Sequence, residues 1–429
     1  MFSRYVGFEL KRLVKTPKNI VVIFLFILSI LIYFAYNLYM YESANKNRVD
    51  DLTSEINVST AEIIFYRSTN ESPTGMVIYE LLNNYHFQLG QIHVNARLMS
   101  LGSEHAYRWS SELDAIIRRD EAVLEALYKW RIAYNEEMSA DGVIDEDASK
   151  MDFTDTNLPL RFRSLTESGL IASIQKFRYL QNIETPPVLS EFNMSGWQFL
   201  LRLITVLGRF AIPVLVVFFS ADAFSAERDM GSYKFLLLQP LSRTQVYFAK
   251  ITASLIFSAG VIFIFTFLFS GINALINGIG SAYYPIRFSL FNTDSTALYI
   301  DGPINAYINS LDPGTSIPPG FAPVSEFLLF AALFIMIYCL FIISFTAIIS
   351  IFAEDSIYAL AVSLGIVFLS LLVSVFVPRR GFAWNPLEYS DITALTSETL
   401  NGPVWYPALW FFVLTILGVV YFNRKDIVC

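Results

Sequence analysis

The chain has 429 residues, 54% hydrophobic and only 16% charged, with a mean hydropathy of +0.48. That composition excludes an ordinary water-soluble protein, because so apolar a chain needs a bilayer to solvate much of its surface. The formal net charge of −8 argues against a nucleic-acid partner, and two cysteines, Cys339 and Cys429, cannot staple an external domain.

In chain order, residues 1–19 come first and carry Arg4, Lys11, Arg12, Lys15 and Lys18 against one acid, Glu9. The positive-inside rule places such a segment in the cytoplasm. Residues 20–40, from Ile20 to Met40, hold no charge. About 20 apolar residues at 1.5 Å rise cross the roughly 30 Å hydrocarbon core, so this run is expected to be the first transmembrane helix. It lacks the short apolar core and small-residue cleavage site of a signal peptide and reads as a retained anchor.

Residues 41–196 then lie outside as one large extracytoplasmic domain, with 24 acidic and 14 basic residues and a net charge of −10. Such a surface suits a cationic ligand, although solvation alone also accounts for it. The domain is expected to be mainly helical. Leu113, Ile116, Ile117, Leu124 and Leu127 fall on one helical face, and Met76, Leu81, Leu82 and Tyr85 form a similar stripe. The acidic stretch from Asp141 to Asp155 reads as a loop, and Glu184-Thr-Pro-Pro187 as a turn before the return to the membrane. His86, His93, Glu104 and His105 have a loose metal-like spacing, but solitary surface histidines are the plainer reading. No metal is expected there, and the acids Asp141, Asp145, Glu146 and Asp147 lack the spacing of a calcium loop.

Residues 197–429 hold five further spans. The second, Trp197 to Phe224, carries Arg202, Arg209 and Asp222. Arg202 is expected at the interface and Arg209 about 10 Å deep, snorkelling to water. Ionisable groups at that depth make these three residues candidates for a transport pathway, with packing and an interfacial cap or salt bridge as the plainer roles. The remaining runs, Ile251–Pro285, Phe327–Ala353, Ser356–Val377 and Val404–Asn423, are free of charge. Six spans return the C-terminus, with Arg424 and Lys425, to the cytoplasm. Tyr33, Tyr36, Tyr39 and Tyr41, and later Trp405 and Tyr406, are expected to mark the membrane interface. External loops follow at 280–323 and 378–403. The expected architecture is an all-α integral membrane protein with six transmembrane helices and a cytoplasmic amphipathic helix at its N-terminus.

A cytoplasmic loop of about residues 225–250 joins the second and third spans. Its apolar centre, Tyr233 with Phe235 to Leu238, exceeds what a solvated loop needs, and Pro240 with Ser242 would end one helix and cap another. The segment resembles the type-2 ABC transporter permeases, whose loop reads approximately E-x-x-x-G-[ST]-x-x-x-L-L-x-x-P-x-S-R-x-x-x-x-x-x-K. Glu227, Gly231, Ser232, Leu236, Leu237, Pro240, Ser242, Arg243 and Lys250 match it. The motif covers only these residues; the rest of the resemblance is topological, and the 155-residue insertion after the first span departs from the smaller members of the family.

The resemblance implies a coupling helix that docks on a separate ATP-binding subunit, an interfacial helix at Met1 to Lys18, and a pair of permease chains, identical or related, with two ATPase copies. Glu227, Gly231, Ser232, Leu236, Leu237, Pro240, Ser242 and Arg243 would then carry the coupling, and replacing Glu227 or Arg243 by Ala is expected to weaken it with the fold intact. No G-x-x-x-x-G-K-[ST] occurs, so the chain needs no cofactor of its own, and ATP and Mg belong to the partner. The expected function is the membrane subunit of an ATP-driven exporter in a bacterial cell membrane. It would move an amphipathic or hydrophobic substrate such as a peptide, antimicrobial peptide, lipid or drug; ion extrusion is a further option. The alternative is a membrane-anchored sensor or scaffold with a ligand-binding external domain. A membrane-embedded hydrolase would need a histidine within the spans, and all three lie in the external segment.

Overall fold

The computed structural model describes residues 2–67, 72–100, 108–140, 159, 162, 167–188, 192, 194–229, 242–287, 317–318, 320–376, 387 and 406–424. Helix α1 (Phe2–Lys15) buries Tyr5, Val6, Glu9 and Leu13 on one face. It ends at a corner where the Thr16 hydroxyl donates to the Arg12 carbonyl at 2.8 Å and the Asn19 amide to the Leu13 carbonyl at 2.8 Å. These side chains occupy carbonyls that a helix end leaves open. Pro17 then starts α2, where its missing N–H costs nothing.

Helix α2 (Pro17–Arg67) differs from the expected division at residue 40. It is one unbroken helix of 51 residues, so at 1.5 Å per residue it is about 76 Å long, more than twice the hydrocarbon thickness. The first span and the external segment therefore share a rigid rod. Tyr33 and Tyr36 do not mark its end. Their rings instead pack on the returning chain, 6.1 Å from Phe199 and 6.2 Å from Phe192.

Three helices, α3 (Pro73–Ser100), α4 (Trp109–Ala140) and α5 (Glu167–Asn182), join the C-terminal half of α2 in a separate helical body. Its core holds Leu81, Leu82, Tyr85 and Leu89 of α3 with Leu124, Leu127 and Trp130 of α4 and Ile174 of α5. The expected α4 stripe is buried throughout. In α3 the stripe holds at Leu81, Leu82 and Tyr85, but Met76 faces out, 58% exposed. Polar pairs fix α2 against its neighbours: Arg48 with Glu112, Glu55 with Tyr85, Ser59 with His86 at 2.7 Å and Thr53 with His93 at 3.0 Å. The two histidines thus serve inter-helix hydrogen bonds. Glu104, His105 and the acidic stretch lie outside the described residues. At the expected turn, Glu184 takes a positive φ of 50°, and Thr185 N–H bonds the Leu180 carbonyl at 3.0 Å.

The apolar body comprises α6 (Gly196–Ser220), a short α7 (Ser225–Asp229), α8 (Arg243–Asn277), α9 (Val324–Phe352), α10 (Ser356–Phe376) and α11 (Tyr406–Arg424). Among the described residues six helices are long and apolar enough to cross a membrane: α2, α6, α8, α9, α10 and α11. The most buried are α6 and α9, which pack on each other through residues such as Val216, Phe219, Ile342 and Ile343. Small hydroxyls join them without exposing polar groups to lipid, Ser220 with Thr346 at 2.8 Å and, between α9 and α11, Ser344 with Thr415 at 3.0 Å. The α8 helix begins at Arg243, directly after the expected cap Ser242 and ahead of the uncharged run, so the motif's last residues are helical.

Among the described residues the expected all-helical class has one exception. Strands β1 (Pro285–Arg287) and β2 (Phe321–Pro323) pair antiparallel, with Ile286 opposite Ala322, between α8 and α9. Tyr284 links this pair to the helical body of α3 to α5: its hydroxyl accepts from Val188 N–H at 3.1 Å, and the Lys176 ammonium of α5 sits 5.6 Å from its ring. Burial pushes the Tyr284 phenol up to about 12 and holds the Lys176 ammonium below its usual value. The third external loop, apart from Leu387, and Trp405 lie outside the described residues.

Helices α8 and α11 meet at Gly418, where an added Cβ would lie 2.2 Å from the Tyr247 hydroxyl and 2.8 Å from its Cζ. Tyr247 is fully buried and stacks 5.5 Å from Phe224, so it has little room to yield. Gly418→Ala is therefore expected to lower stability by about 1–3 kcal/mol through overpacking, read as a lower unfolding temperature in detergent. Adding Tyr247→Phe, which removes the atom in closest conflict, is expected to restore part of the loss.

Candidate functional site

The segment that leaves α6 and re-enters at α8 is where the ionisable residues of the apolar body gather. At its centre is Lys250, whose side chain is 1% exposed. An ammonium carries three donors, and all three are used: Nζ donates to Glu227 Oε1 at 2.6 Å, to the Ala223 carbonyl at 2.7 Å and to Glu9 Oε1 at 3.3 Å. Arg12 completes the cluster, 2.9 Å from Glu9 and 3.5 Å from Glu227. Two acids and two bases therefore cancel in a site that water scarcely reaches. Tyr5 lies beside them, and burial, with the Glu9 and Glu227 carboxylates, raises its phenol far above the ordinary value.

This cluster joins three separate pieces of chain: α1 through Glu9 and Arg12, α7 through Glu227, and α8 through Lys250. Further bonds reach every other span. Lys18 of α2 pairs with Asp222 at 2.7 Å. Ser350 near the end of α9 accepts from the N–H groups of Phe224 and Ser225 at 3.1 and 3.0 Å, which are otherwise open donors at the start of α7. Asp229 accepts from Ser356 N–H at 3.0 Å and from its hydroxyl, capping α10 with a negative charge at the favourable end of its dipole. Arg243 donates to the Asn423 carbonyl of α11 at 3.0 Å, and the Asn423 amide donates to Thr244 at 3.2 Å. Ser242 forms a capping box with Gln245, which starts α8 just beyond the motif proline.

The residues singled out in the sequence thus divide into groups. Ser242 caps as expected, Arg243 is at the site, and Asp222 forms the interfacial salt bridge. Gly231, Ser232, Leu236, Leu237 and Pro240 lie outside the described residues. Glu227 is a different kind of group from the one expected. It is an inward-facing partner of a buried lysine, so Glu227→Ala removes an acceptor from a buried charge and does not leave the fold untouched. Arg202 and Arg209 sit higher on α6, both half-buried, and the Arg209 guanidinium lies 5.3 Å from the Phe210 ring; neither joins the cluster.

Sequence reasoning missed the pairing of Glu9 with Lys250. The available signals were a lone acid three residues before Arg12 in a basic helix, and a lysine at the edge of an uncharged run. Breaking a buried pair by removing one member costs about 3–5 kcal/mol, whereas replacing all charges together costs little. Lys250→Met is accordingly expected to destabilise the chain by about 3–5 kcal/mol, because it leaves Glu9 and Glu227 facing each other. The quadruple variant Glu9→Gln, Arg12→Gln, Glu227→Gln, Lys250→Met, which removes both acids and both bases, is expected to recover most of that loss. Denaturant unfolding of the three proteins in detergent measures both effects.

A family model described as "ABC-2 family transporter protein" matches residues 6–383, from α1 past the end of α10. No curated protein matches the chain.

Proposed function

The chain belongs to the ABC-2 transporter family, a family of membrane transport components, and from that premise we propose that it is the permease subunit of an ATP-driven exporter. The observation that carries this reading is the wiring of the motif segment. Ion pairs or hydrogen bonds run from residues 222–250 to α1, α2, α9, α10 and α11, so a force applied to that segment reaches every span. An ATPase pair that closes on nucleotide supplies such a force, and bonds from the described ends of the segment to the spans would turn it into helix movement. Members of this family generally associate with an ABC ATPase. Here the proposed assembly is two ATPase copies and a second permease, identical or related, with ATP and Mg held by the ATPases.

The proposed sidedness follows the basic residues. Both termini and the motif segment face the cytoplasm of a bacterial cell, and the acidic helical body faces outward. An amphipathic or hydrophobic substrate fits a pathway without a dedicated charged lining, and a cationic peptide fits the net charge of −10 on residues 41–196. Arg202 and Arg209, half-buried on α6, are the candidates for charged groups beside that pathway, whereas Asp222 is held by Lys18.

Affinity purification of the tagged chain from gently solubilised membranes, followed by mass spectrometry, tests the assembly. The expected result is a stoichiometric P-loop ATPase; a purified chain without one, under conditions that keep a known transporter whole, would overturn the proposal. In the intact complex, Asp229→Ala and Arg243→Ala are each expected to lower substrate-stimulated ATP hydrolysis several-fold while basal hydrolysis persists. Both residues are at the surface, and removing one exposed hydrogen-bonding group costs only about 0.5–1.5 kcal/mol of stability.

A further inference from the structure

Helix α3 buries one face in the helical body and leaves another open along its length. Glu80, Asn83, Phe87, Gly90, Val94 and Arg97 follow at intervals of three and four residues, the 3.5-residue period of a coiled-coil seam. None of the six belongs to the buried face of α3, and Phe87 and Val94 are 61% and 52% exposed. A bordering stripe on α2, Thr53, Asn57, Thr60 and Ile64, is exposed too. Thr53 bonds His93, next to Val94, whereas Glu55 on the opposite flank of α2 bonds Tyr85. Between Asn83 and Val94 the seam carries no charge, and neither does the α2 stripe. Gly90 is a second observation. A glycine inside a helix costs about 0.5–1 kcal/mol against alanine, yet a Cβ at Gly90 would meet nothing within 4 Å. Nothing among the described residues therefore requires glycine there, whereas a neighbour approaching closely from outside does.

Lipid does not reach this face. Ser59 bonds His86 and Thr53 bonds His93, so residue numbers fall along α3 as they rise along α2, and Val94 and Phe87 stand near the levels of Thr53 and Val58. Those levels are about 20 and 27 Å beyond Met40, where the uncharged run ends. Charge then selects the occupant. Residues 41–196 carry a net charge of −10, so a second copy is repelled by most of this surface and approaches at least cost along a face without charge. A cationic peptide would find no acid there. Two copies crossing one membrane run in the same sense, so α3 meets α3 in parallel and level, each seam residue facing its own counterpart. In that register Phe87 of each copy faces the hollow left by Gly90 of the other, and the asparagine pair at Asn83 fixes the register at one polar layer. Glu80 and Arg97, each opposite its like, set the two ends of the contact.

We propose that the Asn83–Phe87–Gly90–Val94 seam of α3 docks in parallel on the same seam of a second, identical copy. The inference rests on the pairing of permease chains proposed above and deepens it, selecting the identical pair over the related one. Because α3 is bonded to α2, the joint ties together the far ends of the two rods, while their feet stand at separate Lys250 clusters.

The test is cysteine cross-linking in membranes that hold the full-length chain under two different tags, with Cys339→Ala and Cys429→Ala as background. Co-purification of the two tags is measured first, before oxidation. Asn83→Cys, Phe87→Cys and Val94→Cys, each placed in both copies, are expected to give an oxidised species carrying both tags. Arg118→Cys on α4, whose side chain is 64% exposed away from the seam, is expected not to. Asn83→Cys in one copy with Val94→Cys in the other is expected not to cross-link, because a parallel pair holds them about 16 Å apart. Adding Gly90→Leu is expected to lower cross-linking through Val94→Cys several-fold without lowering the unfolding temperature of the chain, since the added side chain meets open space within one copy. Tags that co-purify without any cross-link at the seam would overturn this contact and leave the permease pair standing. Tags that do not co-purify would overturn the identical pair, and recovery of a different permease chain in its place would assign the seam to a related partner. Cross-linking of Arg118→Cys as strong as that of Val94→Cys, preferential joining of Asn83→Cys to Val94→Cys, or no effect of Gly90→Leu would each overturn the proposal as well.

Discussion

The inner end of this molecule is organised by one requirement, that a lysine ammonium removed from water must have its charge and its three donors answered. Leaving such an ion unpaired costs several kcal/mol. Lys250 is answered by Glu227, Glu9 and the Ala223 carbonyl, and those partners come from two stretches of chain, α1 and the turn after α6, that the sequence separates by more than two hundred residues. Meeting the requirement fixes where α1 lies, how the chain turns after α6, and the level at which α8 starts. The aromatic stack beside it, Phe224 between Tyr247 and Phe422 at 5.5 and 5.1 Å, depends on the same turn.

A second constraint comes from α2. Because the helix runs unbroken from Pro17 to Arg67, its two ends cannot move independently without bending a structure that resists bending. Its inner end is held by Lys18 on Asp222, beside the buried cluster, and its outer half is locked to α3 and α4 by Arg48 on Glu112 and Glu55 on Tyr85. The helical body of α3 to α5 is thus mounted on a rod whose foot stands at the site where the motif segment enters. A second mount, through Lys176, Tyr284 and Val188, ties α5 to the strand pair between α8 and α9.

Much of this was legible in the sequence because it follows from local rules. Uncharged runs of sufficient length gave five of the apolar helices and an apolar run with Arg202, Arg209 and Asp222 gave the sixth, α6; periodic Leu and Ile residues gave the buried faces of α4 and most of α3, and Ser242 after Pro240 gave the start of a helix. The change from apolar to charged residues near Tyr41 marks a change of solvent and not the end of a helix, which propagates through such a change when no Gly or Pro interrupts it. Met76 was misplaced because the buried face of α3 runs through Gly75, Ile78, Leu82, Tyr85 and Leu89, and Met76 turns away from it. The Lys250 cluster was not legible in a deeper sense. Its members are set by the tertiary path of the chain, and a tally of charges treats Glu9 as one more exposed residue.

The two ends of the apolar body are held by different chemistry. At the outer end, main-chain bonds join the start of α6 to the end of α8, Gly196 N–H to the Gly278 carbonyl at 2.9 Å and Trp197 N–H to the Ile279 carbonyl at 3.1 Å, with Ser270 and Asn273 reinforcing them. A Cβ at Gly196 would lie 2.7 Å from the Ala274 Cβ, so the two helices touch there backbone to backbone. At the inner end the ties are long side chains, Lys250, Glu9, Arg12, Asp229 and Arg243, which can change rotamer and keep a partner while the helices shift. A force delivered to the motif segment would therefore meet its stiffest resistance at the outer clasp and its softest at the inner cluster. On the permease reading, α6 and α8 would pivot about the clasp, with the largest displacement on the side where the ATPase is proposed to dock.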